Sequence, residues 1–226
     1  MSFIDIENKS YLKQYIDSDG NFNYKAMKND YTWLEKQIDL IENENIENLS
    51  KTQLFVFYLN SYNLLTLKNV FIELDKNPRW NGNTNWFRRL KFFVFRKFPI
   101  GGRKISLYTL ENKILRKKFK DPRIHFAINC ASTSCPVLPA KLFEEKSIDD
   151  YLTNLTHSFI NNDMHVKIDN ENKILSVNPI FKWYKNDFEP DGVISFISRY
   201  REDIERKKLK EFKLEFLKYD WSLNNQ

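Results

Sequence analysis

Cysteine, histidine, glycine and proline are all scarce in this chain of 226 residues, with 2, 3, 5 and 7 copies respectively. Two cysteines are too few for a disulfide-stapled scaffold. So few glycines and prolines argue against an all-β sandwich, which needs a tight turn about every 8–12 residues. No apolar run reaches the roughly 18 residues of a membrane-crossing helix, and residues 1–30 lack the basic-then-apolar order of a secretory leader. A cytoplasmic, reducing setting is therefore expected. A secreted or periplasmic one would require a leader ahead of residue 1.

What is present points to a globular core. Apolar residues make up 42% of the chain and aromatics 15%, enough for one domain spanning 1–226. Within it, 1–49 reads as a helical part, 50–200 as the motif-bearing core and 201–226 as a tail packing back on that core. The net charge of +6 is unevenly spread, because residues 86–123 carry thirteen Lys/Arg against only Glu111 and Asp121. A basic surface is expected there, suited to a small anionic or peptide-like ligand, with a merely solvated face as the competing reading. No nucleic-acid-binding motif accompanies it, so nucleic acid is not an expected partner.

Helical spacing of Tyr31, Leu34, Ile38 and Ile41 predicts one helix. Ser50 looks like the N-cap of a second, KTQLFVFYLNSYNLLTLKNVFIELDK, apolar on nearly every face and so central. Inside it Asn60 and Asn63 are anomalous, since a buried amide without partners costs about 1–3 kcal/mol. KFFVFRKFPIGGRKISL reads as two strands around Gly101-Gly102, and LYTLENKILRKKF as a helix stopped by Asp121-Pro122. Alternation in RIHFAIN, 123–129, predicts a strand with His125, Ala127 and Asn129 on one face and Phe126, Ile128 and Cys130 on the other. Helices are expected from Pro139, from Ser147 to about Asn161, over PIFKWYKNDF and over 191–204. A hairpin turns at DNEN, and an edge strand ends the tail. The fold class is α+β, a central apolar helix packed on a small, largely antiparallel sheet with further helices around it.

FYLNSYNLLTLKNV, ISLYTLENKILR, DPRIHFAINCASTSCPVL, FKWYKNDF and YDWSLN, in this order, resemble the motifs of the domain of unknown function 547 family. The resemblance implies that Asn60, Asn63, Glu111, His125, Asn129, Cys130, Cys135, Pro136, Trp183, Tyr184, Asp187, Asp220 and Trp221 occupy motif positions. Phe57-Tyr58 stands where many members carry Phe-Trp.

The segment HFAINCASTSCPVL gathers one histidine and both cysteines, and three chemistries compete for it. Thiol catalysis would use Cys135 as nucleophile and His125 as base, with Asn129 and Asn60 or Asn63 steadying an oxyanion and Cys130 packing in the core. Asp187 or Glu111 would hold the far ring nitrogen. Arg123, Trp183 and Tyr184 complete the candidate binding set. A zinc site of His125, Cys130 and Cys135 lacks tight spacing and a fourth ligand, His157 and His165 reading as surface residues, so no metal or cofactor is expected. Plain core packing suits the cysteines but not so many polar neighbours. Ser134 lacks the G-x-S-x-G context of a serine nucleophile. The expected function is a cysteine-dependent hydrolase or acyl transferase on a small amide, peptide or thiol-peptide, the alternative being a non-catalytic binding module with a polar cleft for an anionic ligand or protein partner.

Overall fold

The computed structural model describes residues 10–201, 209 and 211–226. Tyr24–Lys28 (α1) and Thr32–Asn43 (α2) lead into α3, Lys51–Lys76. Every residue of α3 from Leu54 to Leu67 is buried, so the helix needs apolar character all round instead of a single stripe. Its start is fixed by a capping box. Ser50 Oγ accepts from the Gln53 N–H at 3.2 Å, and Gln53 Oε1 accepts from the Ser50 N–H at 2.9 Å. Ser50→Ala should lower the unfolding free energy by about 1 kcal/mol, read from the urea midpoint; an unchanged midpoint would mean the cap contributes nothing.

Trp86–Arg89 (α4) runs into a π-helical turn, Leu90–Phe95. The strand expected over FFVF is therefore corrected. Phe92 stacks on Trp80, and its carbonyl accepts from Asn69 Nδ2 at 2.9 Å, so tertiary contacts override strand propensity. The hairpin itself is present as β1, Lys97–Ile100, and β2, Arg103–Ser106. Gly101 and Gly102 turn it with φ of 52° and 72°, values that glycine adopts freely. Leu107–Thr109 (α5) continues through a π-helical segment, Leu110–Leu115, into Arg116–Phe119 (α6).

Residues 124–127 form a four-residue helix, Ile124–Ala127 (α7), not a strand. The Asp121 carboxylate accepts the Arg123 N–H at 2.9 Å just ahead of it, an Asx turn that starts helical backbone. No helix begins at Pro139, where the chain is irregular until Glu145. Ile148–Ile160 (α8), the hairpin Val166–Asp169 (β3) and Ile174–Val177 (β4), Ile180–Trp183 (α9) and Gly192–Ile197 (α10) follow. The helix expected over 191–204 thus ends early, and 202–204 lie outside the described residues. The edge strand lies at the start of the tail, Lys213–Phe216 (β5), and pairs parallel to β4 in the order β3-β4-β5. The fold is α+β.

Two apolar clusters result. The first surrounds α3 and takes in Leu34 and Ile38 of α2 and Phe98, Ile100 and Ile105 of the β1–β2 hairpin. The second joins Phe159 and Ile160 of α8 to Val166, Leu175 and Val177 of the sheet and to Phe181 and Phe196. The short helix α7 is the seam: Ile124 and Ala127 belong to the first cluster and Phe126 to the second. His125, between them, lines a cavity. Among the described residues no helix is long and apolar enough to cross a membrane.

Candidate functional site

Three buried amides build the loop that carries both cysteines. Asn60 clasps the main chain of Phe143, donating to its carbonyl at 3.0 Å and accepting its N–H at 2.8 Å. One turn along α3, Asn63 donates to the Ala127 carbonyl at 2.9 Å and accepts the Asn129 N–H at 2.8 Å. Asn129 in turn donates to the Pro136 carbonyl at 2.7 Å and accepts the Ala131 N–H at 2.7 Å. Irregular buried backbone needs such partners, because neither helix nor sheet satisfies it. The bend closes at Ala131, whose φ of 59° is unusual for a residue with a side chain.

The C-terminal tail lies across this loop. Thr133 N–H donates to the Ser222 carbonyl at 2.9 Å, Ser134 N–H to the Asp220 carbonyl at 3.2 Å, and Asp220 N–H to Ser134 Oγ at 2.9 Å. Gly82 lets a second loop reach the same tail, because a Cβ there, with φ of +80°, would stand 2.5 Å from the Trp221 carbonyl oxygen. The tail thereby sets Tyr219 and Trp221 beside the sulfurs.

Cys130 is partly exposed and Cys135 buried. The Cys130 sulfur lies 3.1 Å from both Ser132 Oγ and Tyr219 Oη, which are themselves 3.0 Å apart. Burial acts to raise its pKa, but hydrogen bonds from the Cys135 thiol, Ser132 and Tyr219 outweigh it and hold Cys130 below an ordinary thiol. Cys135 is pushed well up, by burial and then by its neighbour's sulfur. Its Sγ accepts the Cys130 N–H at 2.8 Å.

The two sulfurs share a cavity of about 90 Å³ with His125, Glu111, Tyr62, Tyr184, Trp183, Tyr219 and Trp221. His125 Nε2 is 2.7 Å from Asp187 Oδ2, and Arg116 grips the same carboxylate in a two-pronged contact at 2.5 and 2.9 Å. Burial would raise the Asp187 pKa, yet His125 and Arg116 hold it well below the usual carboxylate range. An ionised Asp187 accepts the proton carried on Nε2. Tyr184 stacks on the imidazole at 4.0 Å, with the Arg116 guanidinium 4.5 Å from the centre of the Tyr184 ring. Tyr62 Oη donates to Glu111 at 3.2 Å. Burial and then the Glu111 charge push the Tyr62 and Tyr184 phenols up.

Residues 46–160, just over half of the chain, match the model of the family described as "Protein of unknown function, DUF547". The chain belongs to this family. No curated protein and no solved structure matches it. The DUF547 segment supplies Tyr62, Glu111, His125 and both cysteines to the cavity, while Trp183, Tyr184, Tyr219 and Trp221 in its wall, and Asp187 behind His125, come from beyond residue 160.

Several expectations are corrected by this geometry. Because 124–127 is helical, the two-faced strand that put Cys130 in the core does not exist, and Cys130 meets hydroxyl groups instead. The amides of Asn60, Asn63 and Asn129 face main-chain partners, not a reacting carbonyl. Arg123 lies away from the cavity, pairing with Asp121 and Asp149 at 2.8 and 2.7 Å. His165 is buried, stacked on Phe159 at 4.0 Å. Among the described residues no group of three or more His, Cys, Asp or Glu side chains is placed to hold a metal ion. His125 makes no hydrogen bond to either sulfur, while Asp187, not Glu111, holds its ring. Tyr62, Arg116, Ser132 and Tyr219 were not singled out in the sequence. Tyr62 lies between the two asparagines and Tyr219 adjoins the Asp220-Trp221 motif, which was the available signal.

Proposed function

We propose that this DUF547 protein is a thiol-dependent hydrolase or acyl transferase in which Cys130 is the attacking sulfur. One observation carries the reading: the sulfur of a partly exposed residue, set 3.1 Å from the Ser132 and Tyr219 hydroxyls, on the wall of a cavity that His125 also lines with Asp187 behind it. Cys135 then acts through Cys130, its thiol favouring the ionised neighbour. In the acylation step the Cys130 sulfur attacks an acyl carbon while a water in the shared cavity relays its proton to His125, which makes no hydrogen bond to the sulfur itself. The leaving amine, alcohol or thiol departs with that proton. Water, giving a proton to His125, or a second acceptor then cleaves the thioester and restores the thiol. The cavity wall carries Glu111 and a sulfur, which disfavours an anionic group at the reacting position and with it the alternative of an anion-binding module.

The test is alkylation of the native protein by iodoacetamide near neutral pH, followed by peptide mass mapping. Cys130 should label and Cys135 should not, and Tyr219→Phe should slow Cys130 labelling about threefold to tenfold by removing one donor to the thiolate. Labelling confined to Cys135, or two inert thiols in a folded protein, would remove the proposal.

A further inference from the structure

The segment WFRRLKFFVF, 86–95, turns three of its five aromatic side chains to solvent. Asn85 starts it as a true helix, its side chain accepting the Arg88 N–H at 2.9 Å. Phe92 faces inward and is 1% exposed, yet Trp86, Phe87 and Phe95 are 66%, 59% and 62% exposed. They are the most exposed of the bulky aromatic side chains among the described residues, and all three lie within one stretch of ten. Half-buried Leu90 and Val94 lie between them along the segment. An ordinary surface helix turns such side chains to the core and its charges to water.

The charges along this stretch of sequence are all of one sign. Between Asp75 and Glu111 there is no acidic residue, while Arg88, Lys91, Lys97, Arg103 and Lys104 are exposed. Glu73 engages Arg96 and lies 3.6 Å from Lys91. Arg88, Lys97, Arg103 and Lys104 have no carboxylate partner among the described residues. A protruding Trp-Phe pair beside cations suits an interface that is apolar just beneath an anionic surface. It suits a folded protein partner less well, since such a partner would need a pocket for three aromatic rings and a ring of acids.

We infer that residues 86–97 dock this protein on an anionic lipid bilayer, Trp86, Phe87 and Phe95 entering the headgroup boundary while Arg88 and Lys97 meet lipid phosphates. Arg89, whose guanidinium lies 4.7 Å from the centre of the Trp221 ring, ties this surface to the wall of the cavity. The inference does not rest on the thiol chemistry.

The experiment is co-sedimentation of the full chain with vesicles of equimolar phosphatidylglycerol and phosphatidylcholine, against pure phosphatidylcholine. Binding should require the anionic lipid and fall with added salt. Trp86→Ser with Phe87→Ser should reduce the partition coefficient about tenfold or more, since two exposed aromatic side chains leave the interface. Arg88→Glu with Lys97→Glu should abolish the preference for the anionic vesicles. These side chains are exposed, so both variants should keep the circular dichroism spectrum of the parent. Absence of binding to either vesicle, equal binding by the Trp86/Phe87 variant, or concentration-dependent dimers in place of vesicle binding would each overturn the inference.

Discussion

Asn63→Ala should lower the unfolding free energy by about 3–4 kcal/mol. The Asn63 side chain holds the Ala127 carbonyl and the Asn129 N–H, and both residues are at least 98% buried. Each orphaned buried group costs about 1–3 kcal/mol, and neither has a secondary-structure partner to fall back on. Against a typical total of about 5–15 kcal/mol this is a large share. Urea unfolding should show a lower midpoint with an unchanged slope. Asn63→Asp keeps the acceptor but loses the donor and places a charge in the core, so it should not rescue. A loss under about 1 kcal/mol for Asn63→Ala would mean the loop holds its shape without α3.

His165 should make the protein acid-sensitive in a defined window. Burial lowers its pKa from 6.5 to about 4. The folded state therefore refuses a proton that the unfolded chain accepts once pH falls below 6.5. Its contribution is fully present above the unfolded value, shrinks as pH drops from about 6.5 to about 4, and falls no further below that. The full span is about 3 kcal/mol. His165→Leu keeps an apolar side chain against Phe159, and the Asn178 amide retains the Ser134 carbonyl at 2.8 Å. The parent should lose stability relative to this variant across the window, by urea unfolding at about pH 7, 5.5 and 4. Parallel curves would show that His165 takes up its proton in the folded state.

Much of the frame was legible in the sequence. The bounds of α3, its Ser50 cap and the two hairpin turns are local patterns, set by apolar spacing, a capping side chain and turn residues. RIHFAIN misled because its alternation fits a strand while seven residues are too few to separate the two periods. The outcome was decided by the Asp121 turn and by two cores meeting at α7. Asn60 and Asn63 stood out as buried amides, but their partners were invisible, since Phe143 lies 83 residues from one and Ala127 64 from the other. The same holds for Cys130 with Tyr219, 89 residues apart, whereas Asp187 was one of two acids expected to hold the His125 ring, and the fold selects it over Glu111. Composition marked the cluster of rare residues; only the fold says which sulfur has the donors.

The stitching of the tail to the cysteine loop carries a consequence for how DUF547 proteins are compared. A chain sharing the matched segment but diverging downstream would inherit the sulfurs and the imidazole without Tyr219 beside the one or Asp187 to hold the other. Under the proposed thiol chemistry, two chains alike over the shared segment should differ in Cys130 labelling according to their downstream sequence.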